Sequence, residues 1–455
     1  MTNVYVFNPF AEGYIGEGKG FAPVRHQALL AEDLSNLPQF LCDPGDIVLL
    51  AKRPSEEFLD YLKRAGFQPP EFAELREGRI DPAGSVCRRR IASLRPWAWG
   101  PDSVELLEPL FDLLNDAKPA NQYFNDGIAR LYSKAWSAQL LSNVLAGAGG
   151  RDEMSSRLCS EREVGVAVDT VEAALGAIAA IRGRGHHRLV VKQAHGLAGH
   201  NAIRLWEPEM LPAQRKWLAH ACEVGGQVVV EPWLERELDF SIQLEMGERG
   251  LTLCGYTGLV NDLKGQFVAN WAEHNYRRCL PAKVAVSLGP GERVPEWLER
   301  VYAEIFWRLE TELRGVDFVG PVSIDAFVYR TSKGECRLKP IVEINPRYTM
   351  GRVLVELMKH AAPGTSGRFR LVSRAQARKE GFGDLPEYGR ALTGRLPRLE
   401  GLPGGPPGEL AAEDGGARGR ARIRKGAVCL TDPERVHVCL AVFEVTDPDE
   451  IGSES

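Results

Sequence analysis

The chain has no apolar run approaching the roughly 20 residues that a membrane-spanning helix needs, so no helical passage through a bilayer is expected. It also lacks a basic excess. Lys and Arg number 56 against 61 Asp and Glu, a formal charge of −5, which argues against a general binder of nucleic acid or membrane surface. Its nine cysteines form no CxxC pair and no His/Cys group at ligand spacing, so neither a zinc ribbon nor a disulfide framework is indicated. After its Met the chain begins Thr2-Asn3-Val4-Tyr5 rather than with a basic segment and an apolar signal stretch, and it has no internal repeat. These absences make a reducing cytoplasm the expected setting. At 455 residues there is room for two or three domains and a sizeable core.

What is present concentrates in two apolar, β-branched runs, Val322 to Tyr329 and Ile341 to Arg347, separated by the turn residues Thr331 to Glu335. This pattern predicts a β-hairpin. A strand points alternate side chains to one face, so Glu343 and Asn345 emerge together and Asp325 reaches them from the neighbouring strand. Two carboxylates and an amide oxygen suit Mg²⁺, which takes oxygen ligands and completes its shell with water and substrate phosphates. The alternative for such residues is a pair of edge-strand acids facing water.

Asp325 followed by Glu343-Ile344-Asn345-Pro346-Arg347 resembles the metal-binding end of the ATP-grasp fold, shared by D-alanyl-D-alanine ligases, biotin carboxylases and many carboxylate-amine ligases. Upstream, the strand Arg188 to Lys192 opens into Gln193 to Asn201, followed by the strand Ala202 to Trp206. A strand, a lysine and a glycine-bearing turn form a flap whose backbone N–H groups close over phosphate, with Lys192 as a point charge. Gly196, Gly199 and His195 belong to this flap, and a plain hairpin turn is the alternative. The stretch from Gln227 to Ile242 resembles the family hinge. That likeness gives Glu231, Pro232 and Leu234 to ATP, with the Pro232 carbonyl and the Leu234 N–H on the adenine edge. It gives Asp239 to the ribose, with Glu237 as its rival. Lys134, behind the helix-opening Ser133, matches a family lysine that contacts phosphate. Arg347 and Lys192 are the catalytic candidates. Arg352, Arg277 and Arg278 are further clamps for a substrate carboxylate, since guanidinium suits planar anions.

The resemblance implies an α/β chain in which an open pre-ATP-grasp domain (1–118) precedes an ATP-grasp domain of two α+β subdomains (119–362) and a C-terminal extension (363–455). Parallel strands Asn3 to Phe7 and Asp46 to Leu50, with helices near Val24 to Leu34 and Glu56 to Ala65, fit the first part. The glycine-rich stretch Asn8 to Gly20 reads as a substrate loop or lid. Helices are expected over Asp169 to Arg182, Pro212 to Glu223 and Pro295 to Leu313. The Gly/Pro/Arg-rich segment near 396–425 is expected to be mobile, and Arg435 to Val445 to form a strand that docks elsewhere. The implied activity is an ATP- and Mg²⁺-dependent ligase, with Mn²⁺ an allowed substitute, that forms an amide or peptide bond through an acyl phosphate and releases ADP and phosphate. Its partners would be a small carboxylate and an amine, an amino acid or short peptide, with no nucleic acid or membrane involved; a homodimer is left open. A phosphotransferase acting on a small molecule and a non-catalytic ATP-binding regulator are the alternatives.

Overall fold

The structure, a computed structural model, describes residues 2–148, 157–196, 201–261, 267–288, 296–400 and 421–448. Four short strands come first: β1 (Thr2–Val6), β2 (Ile47–Leu50), β3 (Glu71–Glu74) and β4 (Ile91–Pro96), in the order β3-β2-β1-β4 with all pairs parallel. β2 is Ile-Val-Leu-Leu and buried throughout, as expected for a strand covered on both faces. The helices Arg25–Asp33 and Glu56–Arg64 alternate with these strands. In the second, the Ser55 hydroxyl accepts from the Phe58 N–H and Phe58, Leu59, Tyr61 and Leu62 are buried.

A small antiparallel sheet follows, built from β5 (Val166–Val168), β6 (Leu189–Gln193), β7 (Ala202–Leu205) and β8 (Val228–Pro232) in the order β5-β8-β6-β7. The helices Val171–Gly183 and Pro212–Gly225 share its core, and Thr170 caps the first by accepting from Ala173 N–H. The large sheet starts with β9 (Glu235–Gly247), β10 (Gly250–Asn261), β11 (Phe267–Ala272), β12 (Gly320–Arg330) and β13 (Cys336–Asn345). It continues with β14 (Ser366–Ser373), β15 (Arg398–Glu400), β16 (Arg422–Cys429) and β17 (Cys439–Thr446), in the order β13-β12-β9-β10-β11-β14-β17-β16-β15. The helix Glu296–Arg314 lies in the same core as β12 and β13, burying Trp297, Val301, Ile305 and Leu309 at intervals of one turn. Residue 295, where this helix was expected to begin, lies outside the described residues.

An open parallel sheet followed by two antiparallel sheets is the layout the resemblance implies. Two expectations need correction. Asn8 to Gly20 is a helix over Ala11–Glu17 and a short 3-10 turn over Gly18–Gly20, with Ala11, Glu12 and Gly13 buried. A run that packs its first turn inward in this way is wall rather than loop. The segment near 396–425 ends in regular structure, because β15 and the first residues of β16 pair antiparallel; residues 401–420 lie outside the described residues. The extension is also continuous with the rest. β14, β16 and β17 extend the large sheet, and Phe443 and Leu440 share a core with Tyr5, Val48 and Tyr61. The Asp33 carboxylate accepts from the backbone N–H groups of His437, Val438 and Cys439, at 2.6 to 3.0 Å. The Arg435 to Val445 strand therefore begins at Cys439 and docks between β14 and β16. Among the described residues no helix is long and apolar enough to cross a membrane.

Candidate active site

The β12–β13 turn is closed by Thr331 N–H donating to the Glu335 carbonyl at 2.8 Å, and Gly334 takes φ +83°, where a side chain would be strained. The resulting register sets Asp325 directly opposite Glu343, and Ser323 opposite Asn345. Asp325, Glu343, Asn345 and Arg347 line one cavity of about 820 Å³, together with Lys134, Lys192, Gly196 and Asp239. Its walls come from the N-terminal domain, the small sheet and the large sheet.

The polar contacts at the corner form a chain. Asn345 Nδ2 donates to Asp325 Oδ2 at 3.1 Å, and Asn345 Oδ1 accepts from Arg347 Nη2 at 3.0 Å. Arg347 Nε donates to Glu12 Oε1 at 2.8 Å, and Nη1 to the Tyr348 carbonyl at 3.3 Å. Lys134 opens the helix Lys134–Ala148, where Ser133 Oγ accepts from Ala135 N–H. Its Nζ lies 3.0 Å from Glu343 Oε1 and 3.9 Å from Glu12 Oε2, and donates to the Gly196 carbonyl at 2.8 Å. The lysine thus ties the flap to the hairpin.

Burial, reinforced by the facing Glu343 carboxylate, pushes the Asp325 carboxyl up to about 6. Glu343 moves the other way: burial opposes its charge, but Lys134 and Lys192 hold it below the usual carboxylate range. Burial likewise opposes the Lys134 ammonium, and Glu343 and Glu12 hold it above its ordinary value. Among the described residues no group of three or more His, Cys, Asp or Glu is placed to hold a metal. The set here is two carboxylates and an amide oxygen. It fits Mg²⁺, since the donors are hard oxygens, the ion keeps waters of its own, and a dication between Asp325 and Glu343 relieves the repulsion that raises Asp325.

Lys192, at the end of β6, is ion-paired to Glu231 while also lining the cavity. Lys339 Nζ donates to the other oxygen of Glu231 at 2.8 Å and to the Glu163 carbonyl at 3.2 Å. Burial would raise the Glu231 carboxyl, but Lys192 and Lys339 hold it well below the usual range.

Several expected site residues are placed elsewhere. The side chains of Pro232 and Leu234 are buried and do not line the cavity, although the intervening Trp233 does: Pro232 sits opposite Leu189 in the β6–β8 ladder, Leu234 packs in the main core, and Trp233 donates its N–H to the Arg188 carbonyl at 2.9 Å. The recess beside Glu231 holds only about 10 Å³, with Lys134, Lys192 and Lys339 in its walls. Trp233 itself faces the cavity. His195 is turned toward the N-terminal helix, where a Cβ on Gly16 would stand 3.1 Å from His195 Cβ. Gly199 and His200 lie outside the described residues. Arg277 and Arg278 are exposed, and Arg277 Nε donates to the Tyr276 hydroxyl. Arg352 is committed to Glu245 and Glu356 at 2.9 and 3.1 Å, so none of these three arginines lines the cavity. Asp239 does, beside Arg236 at 3.0 Å, whereas its rival Glu237 pairs with Arg330.

The residue that sequence reasoning missed is Glu12. It is 3 % exposed, holds Arg347, and leaves its Oε2 without a hydrogen-bond donor. An acid in a glycine-rich stretch reads as solvated, and its partner is 335 positions away.

No family model matches the chain, and no curated protein matches it. Among solved structures it is similar to N5-carboxyaminoimidazole synthetase from Staphylococcus aureus complexed with ADP, at 12% identity over 83% of each chain with a TM-score of 0.43. It is similar to an ADP complex of N5-carboxyaminoimidazole ribonucleotide synthetase, at 12% identity over 99% of this chain and 93% of the other, TM-score 0.47. A third likeness is to the L-amino acid ligase from Bacillus licheniformis, at 12% identity over 82% and 80% of the two chains, TM-score 0.38. These likenesses are weak, and the functional reading stands on the chain's own residues.

Proposed function

We propose that the chain is an ATP- and Mg²⁺-dependent ligase of the ATP-grasp type, joining a small carboxylate to an amine through an acyl phosphate with release of ADP and phosphate. The observation that carries this reading is the convergence of Asp325, Glu343, Asn345, Lys134, Lys192 and Arg347 on one cavity. Asp325, Glu343 and Asn345 would hold Mg²⁺, which when bound offsets the charge of the terminal phosphates. Lys192 and Lys134 place two further positive charges beside the same corner, where burial strengthens their effect on a moving phosphoryl group. Lys134 also donates to the Gly196 carbonyl, at the end of the described part of the strand that would lead into a phosphate-covering turn. Arg347 faces the anionic oxygens of the activated carboxylate, with Glu12 fixing its plane through Nε.

In this chemistry the carboxylate oxygen attacks the γ-phosphorus and ADP leaves. The amine then attacks the carbonyl carbon, the C–O bond breaks, and phosphate departs with the oxygen that came from the acid. Incubation with ATP, Mg²⁺ and a panel of amino acids and other small carboxylates, with hydroxylamine as the trap, tests it. A hydroxamate, together with ¹⁸O passing from labelled carboxylate into phosphate, is expected. A stable phosphorylated product with every amine tried, or phosphate without ¹⁸O, contradicts the ligase and favours a phosphotransferase.

A further inference from the structure

The cavity has two chemically different ends. Among the described residues, every charged side chain in its wall comes from residue 134 onward. The described residues of the N-terminal domain contribute Phe7, Phe10, Leu30, Leu34 and Trp97 to its lining, with Gln27 as the one polar side chain and no charge. The apolar wall begins at the ionic corner. Tyr348 N–H donates to the Trp97 carbonyl at 2.8 Å, and Ala98 bridges Arg347 antiparallel. Phe10 stands two residues before Glu12, whose carboxylate holds the Arg347 guanidinium. A carboxylate at Arg347 therefore lies beside the segments that bring Trp97 and Phe10 to the cavity, whose lining also includes Leu30 and Leu34.

We infer that one reactant of this site is a small carboxylate with a bulky, apolar, uncharged body: an amino acid or related acid whose aromatic or branched aliphatic side chain lies against Phe10, Leu30, Leu34 and Trp97 while its carboxylate faces Arg347. Burying a charged side chain against that wall would leave it without a partner, and this sets the specificity. At about 820 Å³ the cavity lies within the usual range for a small-molecule site. The inference rests on the ligase reading for the fate of the carboxylate, though not for its binding.

The test is isothermal titration of the full chain with L-leucine, L-phenylalanine and L-tryptophan against L-aspartate, L-glutamate and L-lysine, each also assayed for acid-stimulated ADP release. The apolar set is expected to bind at least tenfold more tightly. Leu30→Asp is expected to lower its affinity tenfold or more, and the milder Leu30→Gln about threefold, with thermal melting as the check on folding. Equal affinity for the two sets, tighter binding of the charged set, or no binding by any of the six overturns the inference. Preferential binding of the apolar set without ADP release leaves the inference standing and removes the ligase. Equal ADP release with both sets keeps the ligase and overturns the inference.

Discussion

Glu231 and the Asp325–Glu343 pair are two carboxylate centres side by side, the pair lining the cavity and Glu231 the small recess beside it, and their charges are balanced differently. Glu231 is one anion held by two lysines, Lys192 and Lys339. Asp325 and Glu343 are two anions facing each other across a strand pair, with Lys134 on Glu343, Lys192 acting on it from further off while paired to Glu231, and the nearby Arg347 drawn toward Glu12. The first carboxyl is held well below its usual range, and Asp325 is pushed up to about 6. A lone anion between two lysines has its charge more than matched and holds structure together; a facing pair of anions in which Asp325 stays raised gains from a further cation. The difference separates a structural ion-pair group from a candidate metal site made of the same residue types.

The largest expected effect sharpens that contrast. Glu231→Gln leaves the buried Lys339 and the half-buried Lys192 without their shared anion and should cost about 3 kcal/mol in denaturant unfolding. Asp325→Asn removes one of two facing anions and should change stability by less than about 1 kcal/mol, the scale of a modest hydrogen-bond loss. Equal costs would break the comparison. On the reaction side the order reverses. Asp325→Asn and Glu343→Gln should each lower MgATP turnover at least about 100-fold, the scale of losing one group that stabilises transition-state charge. ADP release at native rates by both purified variants would remove the metal assignment.

A smaller effect is expected at the flap. Lys192→Ala should weaken ATP about tenfold while leaving adenosine binding closer to native, since the side chain is assigned to phosphate. Calorimetric titration with both ligands reads the difference, and equal losses would mean that Lys192 serves only Glu231. The smallest effect is in pH. The folded Glu231 carboxyl is depressed, so its stabilisation is present above the unfolded value near about 4.3 and is lost as pH falls through the folded value. Unfolding free energies measured from pH 7 down to pH 3 should decline more steeply in the native protein than in Glu231→Gln. Parallel curves would contradict the pairing.

Much of the site was legible because period-two alternation fixes which side chains share a face. Asp325, Glu343 and Asn345 lie within one hairpin, and the turn residues between them set the register. Lys134 and Lys192 were legible from their places at a helix start and a strand end. The partner of Glu231 was not, because no local pattern ties Lys339 to it, and the packing of the Leu234 side chain follows from the main core. Glu12 escaped for the same reason: its contact with Arg347 spans 335 positions of the chain. Arg277, Arg278 and Arg352 were chosen by type, and tertiary packing gave them other partners or left them in solvent. The C-terminal strand was visible as a strand, but its place between β14 and β16 follows from the register of its partners.

The most direct test of the central claim is calorimetric titration of ADP with and without Mg²⁺, on the native protein and on Asp325→Asn. Tighter binding of ADP in Mg²⁺ by the native protein, by about tenfold or roughly 1.4 kcal/mol, and no such gain in the variant, is the result expected if Asp325 and Glu343 hold the ion beside the phosphates. ADP binding that ignores Mg²⁺ in the native protein, or a gain that survives intact in the variant, would contradict it.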